Sequence, residues 1–139
     1  MTNEQRYLVK SSWEKVLPIS AQAAEMFYLR LFDIAPEVEI LFKGDMRQQG
    51  QHLMQMINLA VNELERWNHF VPLVQALGER HMGYGVEAHH YDIVATALLW
   101  TLEQGLAEAF TDEVQEAWVA FYTLLADTMK QAAAARAAA

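Results

Sequence analysis

Residues 70–86, FVPLVQALGERHMGYGV, carry the pattern from which the rest of the chain is read. Leu73, Leu77 and His81 recur at i, i+4 and i+8, so one helical face presents two leucines and then an imidazole. Pro72 stands where a first helical turn tolerates it, and Gly83 and Gly85 mark where the helix gives out. A histidine at the end of such a stripe has two uses. It can bond a backbone carbonyl and serve only the core, or, as neutral imidazole, it can ligate iron in an apolar cofactor. This stretch alone does not choose between them.

Upstream, Thr2-Asn3-Glu4-Gln5 reads as a capping box for a helix running to about Leu17, with Leu8, Val9, Trp13 and Val16 inward. Pro18 interrupts it, and Ser20 is expected to cap a second helix to about Ala35, with Ala24, Phe27, Tyr28, Leu31 and Phe32 along its stripe. Pro36 biases Ala35 away from helical angles, and a short helical segment from Pro36 to Phe42 follows. From Met46 to about Glu65, Leu53, Met56, Ile57, Ala60, Val61 and Leu64 keep a 3.6-residue period. Trp67-Asn68-His69 is expected to be the connection into the His81 helix.

Downstream, a loop through Glu87 and Ala88 leads to a helix from about His89 to Ala107, with Tyr91, Val94, Ala95, Leu98 and Leu102 inward. Asp112 and Glu113 suit the positive end of a last helix, which buries Trp118, Phe121, Tyr122, Leu125 and Met129. The tail AAAARAAA is low in complexity, and residues 132–139 are expected to fray. No strand pattern, internal repeat or linker occurs. The expectation is one all-α domain, residues 1–139, of six to eight helices.

The totals narrow the function. A formal charge of −8 argues against nucleic acid or an anionic membrane as partner, because binding phosphate needs a basic face. The chain has no cysteine, which excludes disulfides, thiolate metal sites and cysteine-held iron–sulfur clusters. MTNEQRYLVK lacks the apolar core of a signal peptide and no run reaches membrane-span length, so a cytoplasmic protein is expected.

Four positions are unusual in a plain helical core. Tyr28 brings a hydroxyl onto an apolar stripe, Gln49 sits one turn before Leu53 so that its amide is expected to share the buried edge of that helix, Phe42 closes the segment after Pro36, and His81 ends the Leu73/Leu77 stripe. With these in place the chain resembles the globin family along nearly its whole length. The likeness rests on the Ala35-Pro36 break followed by Phe42, on FYLRLF with Tyr28, and on LGERHMGYGV. It is similar to bacterial single-domain haemoglobins, neuroglobin-like chains and flavohaemoglobin-type globin domains.

The resemblance implies a globin fold, a 3-over-3 helical sandwich enclosing haem b. It implies that His81 is the proximal ligand to iron and that Phe42 stacks on the porphyrin. Gln49 takes the distal ligand-facing position, Leu53 the apolar place one turn on, and Tyr28 the distal tyrosine, with Phe27 beside it. Leu77, Val86, Tyr91 and Val94 match proximal-side pocket positions. Gly50 matches the small residue that lets two helices cross, facing Ala24.

The implied function is reversible binding of O2, with CO and NO as competitors. Tyr28 and Gln49 would donate hydrogen bonds, giving tight oxygen binding and slow release. No catalytic residue is implied. The alternative is a nitric oxide dioxygenase served by a separate reductase. Against that specialisation, the position matching a last-helix glutamate of flavohaemoglobin-type globins is Ala133. A haem-free helical interaction module is a third class, disfavoured by the joint presence of His81, Phe42 and Gln49. A monomer or weak homo-oligomer is expected.

His52, three residues after Gln49, lies near the expected pocket mouth, either solvated, bonded to a haem propionate or, after a helix shift, ligating iron. His69 reads as a solvated connector residue. His89 and His90 are chain neighbours, which on a helix point apart, so a shared metal is not expected. Glu87 and His90 form a single Glu-x-x-His, whereas a di-iron bundle needs two.

Overall fold

The computed structural model describes residues 1–138 as six α-helices joined by short turns, with no strand among the described residues. They are α1 (Asn3–Val16), α2 (Ser20–Ile34), α3 (Met46–Asn62), α4 (Trp67–Gly83), α5 (Ala88–Leu106) and α6 (Asp112–Ala138). Four 3₁₀ turns, Leu17–Ile19, Pro36–Leu41, Leu64–Arg66 and Ala107–Ala109, take up the corners.

The start of α1 carries the expected capping box, with Thr2 accepting from the Gln5 amide and the Gln5 side chain from that of Thr2. Ser20 is not a cap. The 3₁₀ turn through Pro18 keeps helical angles at Leu17 and Ser20, so α1 runs into α2 almost without a break and Ser20 is the first residue inside α2. Helix α3 stops at Asn62, short of Glu65, because the backbone tightens into the Leu64–Arg66 turn.

Trp67, Asn68 and His69 are not a connector but the first turn of α4, so Pro72 lies inside that helix rather than at its start. A proline there lacks the amide that would reach the Asn68 carbonyl. Asn68 is exposed, and water can satisfy the carbonyl instead. The alanine-rich tail, expected to fray, is helical to Ala138, alanine being the strongest helix former.

Helix α6 is the spine. It packs on α1, α4 and α5, while α2 lies across α3 and α5. At the centre, the buried Trp118 indole donates to the Ser12 hydroxyl at 2.8 Å, and Trp13 donates to the Asn58 amide oxygen at 2.9 Å. These two bonds tie α1 to α6 and to α3. Helix α4 has no comparable set of neighbours. Its substantial packing is with α6 and the turn before it, so α4 stands off from α2, α3 and α5.

Candidate functional site

Two stripes one residue apart run along α4. Phe70, Val74 and Gly78 are buried against the core. Leu73, Leu77 and His81, about 100° round the helix, are not: Leu73 is 43% exposed and the other two are half-buried. The stripe read from the sequence is therefore not the one that packs into the core; the packing stripe is its neighbour.

His81 Nδ1 lies 2.8 Å from the Leu77 carbonyl oxygen. A carbonyl can only accept, so the neutral ring carries its proton on Nδ1 and keeps a lone pair on Nε2. Burial is the main influence holding the His81 pKa below the usual imidazole value. The Arg80 charge adds to it and the Leu77 bond opposes it. The two uses set against each other in the sequence are thus compatible. The carbonyl bond fixes the ring and leaves the other nitrogen available as a ligand.

Beyond His81 the chain turns sharply. Val86 donates to the His81 carbonyl at 3.0 Å, and Gly85 adopts φ +95°, which suits glycine. The turn brings Gly85 against Leu41 at the end of the Pro36–Leu41 segment, with a Leu41 methyl 3.4 Å from where a Cβ would stand. Half-buried Val86 and Phe42 lie on either side of this junction in sequence.

A second cluster, on α2 and the segment that follows it, is aromatic. Phe27 and Tyr28 are buried on α2 and meet edge-on with ring centroids 5.0 Å apart. Tyr28 also meets Phe42 at 5.4 Å, and Phe32 meets Phe42 at 5.5 Å, both edge-to-face. Burial pushes the Tyr28 hydroxyl up to about 12, and the nearby Gln49 side chain draws it part of the way back.

Gln49 itself is exposed, contrary to the expectation that its amide shares the buried edge of α3. The buried position there is Gly50, whose missing Cβ would lie 3.0 Å from the Ala24 Cβ, as expected of a close crossing. Leu53, one turn from Gln49, is half-buried.

Tyr91 is buried and Val94 half-buried on α5. The Tyr122 hydroxyl donates to the Tyr91 carbonyl at 2.7 Å, and Lys130 Nζ sits 6.0 Å over the Tyr91 ring. Desolvation raises both phenols above their ordinary pKa, and at Tyr122 the neighbouring Tyr91 and Asp92 add to it. A cavity of about 210 Å³ lies against Tyr91 between α5 and α6, and no residue of α3 or α4 lines it.

The remaining histidines are exposed or otherwise engaged. His52 and His69 are exposed. His89 and His90 do not point apart. Their rings lie 4.1 Å from each other, and with Glu87 their ligating atoms fall within 4.8 Å. The cause is a capping box at the start of α5. The Glu87 carboxylate accepts from the His90 amide, and His90 Nδ1 accepts from the Glu87 amide at 2.8 Å, which folds the ring back along the helix. That bond uses the lone pair of a neutral His90, so its other nitrogen carries the proton.

Gly78 escaped the sequence reading. The signal was the one used at Gly50, a glycine inside a helix where alanine would be better by about 1 kcal/mol.

The model of the Globin family matches residues 25–129. The Flavohemoprotein of Bordetella parapertussis is 31% identical over 132 residues, which are 93% of this chain and 33% of that protein. The chain thus spans about a third of the length of such curated relatives. Among solved structures, a bacterial globin from Campylobacter jejuni has a TM-score of 0.86 at 22% identity, covering 99% of this chain and 100% of that one. An engineered carbene transferase from Rhodothermus marinus has a TM-score of 0.90 at 22% identity, covering 99% and 96%.

Proposed function

The chain belongs to the globin family, and from that premise we propose that it holds haem b through His81 and binds oxygen reversibly, with carbon monoxide and nitric oxide as competing ligands. The observation that carries this reading is His81 itself. Its Nδ1–H is committed to the Leu77 carbonyl, its pKa is lowered, and its free lone pair sits on the incompletely buried stripe of α4. Haem would supply a ferrous iron with a coordination position open to a diatomic gas.

The donor set suits that group. Phe42, Leu53, Leu77, Val86 and Val94 are incompletely buried apolar side chains, able to cover a flat apolar ring and exclude water from it. Tyr28 keeps its proton well beyond neutral pH and so acts as a donor, with Gln49 able to swing in as a second. Phe27 and Tyr91 back the two walls, and His52 at the exposed edge suits a propionate partner.

The test is His81→Ala in cells supplied with haem. The expected product is colourless and lacks a Soret band. A variant that keeps its cofactor and its gas uptake would overturn the assignment.

A second reading, nitric oxide dioxygenase, is favoured by the likeness to flavohemoproteins. It requires a reductase beyond these residues. Ala133 at the position matching the family's glutamate, and a lysine rather than a carboxylate over Tyr91, weigh toward a carrier. Single-turnover reaction of the oxygenated protein with nitric oxide, followed by re-reduction with cellular reductases, separates them. Repeated turnover favours the enzyme, and a stalled ferric product favours the carrier.

A further inference from the structure

At Gly78 the backbones of α4 and α6 touch. A Cβ placed there would overlap the Met129 carbonyl oxygen and stand 2.7 Å from the Met129 Cα and 2.8 Å from its carbonyl carbon. Every one of these atoms belongs to the main chain, so no side chain can rotate aside to make room. Helix α6 is also held by α1 and α5, whereas α4 is packed chiefly on α6. A wedge between the two therefore moves α4.

Gly78 follows Leu77, whose carbonyl holds the His81 ring, and precedes His81 by three residues, about 60° round the helix. Resting on the reading of His81 as the iron ligand, we propose that Gly78 is a positioning residue for it. The missing side chain lets α4 settle on α6 and so sets how far from α6 His81 Nε2 is held. The ring and the carbonyl that orients it ride on the same helix. Displacing α4 thus changes the placement of the imidazole but not its tautomer.

The test is the iron–imidazole stretching band of the haem-loaded ferrous protein, read by resonance Raman just after photodissociation of carbon monoxide. The wild-type band must be present and must be lost in His81→Gly. If it is not, the ligand reading itself fails, separately from the present proposal. Gly78→Ala is expected to shift the band, and Gly50→Ala to leave it in place. In His81→Gly supplied with free imidazole, the ligand is no longer tethered to α4, and adding Gly78→Ala should then cause no shift.

An unshifted band in Gly78→Ala, or an equal shift with the untethered ligand, overturns the proposal. Should Gly78→Ala fail to accumulate, Val74→Ile supplies a milder wedge. Val74 is buried one turn earlier on the same face, and the added methyl should shift the band less and in the same direction. No shift there counts against the proposal in the same way.

Discussion

Gly50 and Gly78 both allow one helix to cross another, yet they do so against different material. Gly50 on α3 faces the Ala24 Cβ of α2, a side-chain atom that can be removed or can give by a few tenths of an ångström. Gly78 on α4 faces the Met129 backbone of α6, which can do neither. Around Gly50 the wall is reinforced by the interlocked rings of Phe27, Tyr28, Phe32 and Phe42. Around Gly78 the wall is essentially one helix leaning on another. The lesson is that the aromatic side tolerates local change by repacking, while the histidine side has its position set by main-chain contact.

The largest expected effect belongs to the aromatic wall and appears only in alkali. The raised Tyr28 pKa means the folded protein holds this proton when the unfolded chain has lost it. Stability from the shift is fully present below pH 10.0 and is lost as the pH rises toward about 12. Two pKa units correspond to about 3 kcal/mol. Denaturant unfolding at pH 9 and at pH 12 should show wild type losing that much more than Tyr28→Phe. Equal losses would mean the hydroxyl is not desolvated.

Next comes the backbone crossing. Gly78→Ala gains about 1 kcal/mol of helix propensity but is overpacked against main chain, and the net result should be a loss of about 2 kcal/mol. Combining it with Met129→Gly should not restore the loss, because the Met129 side chain is not the obstacle. Recovery in the double variant, measured by denaturant midpoint, would place the clash in the side chain and erase the contrast.

A functional effect of similar or smaller size is expected from Tyr28 at neutral pH. A hydrogen bond to a charged acceptor contributes roughly 1.5–3 kcal/mol, so Tyr28→Phe should speed oxygen release by about tenfold or more. Stopped-flow dissociation rates within a factor of two of each other would remove Tyr28 from the ligand's surroundings. Smallest is Gly50→Ala. Its propensity gain and its contact with Ala24 nearly cancel, leaving a change within about 1 kcal/mol. Adding Ala24→Gly should take the clash away, which calorimetry of the four variants can resolve as a coupling between the two sites.

The periodicities that a helix imposes were legible residue by residue. The capping box at Thr2, the stripe through Phe27 and Leu31 and the turn at Gly85 follow from local rules, while the Gly50–Ala24 crossing was implied by the family resemblance. Local rules misled where the chain took a helical path despite its punctuation. Pro18 marks a bend and not a break, and Pro72 sits inside α4 with its unmatched carbonyl near the surface. His89 and His90 were misjudged because side chains in a first turn are free to fold back on the cap.

The chain by itself determined an all-α run of six to eight helices, their order and the imidazole at the end of a leucine stripe, because these depend on spacing along one backbone. Only the tertiary structure decided which of two adjacent stripes on α4 packs into the core and which stays incompletely buried. It also decided that Gln49 lies at the surface, and that Gly78 meets main chain where Gly50 meets a methyl group. Each of those depends on what a second helix presents at the point of contact, and no pattern within the first one specifies it.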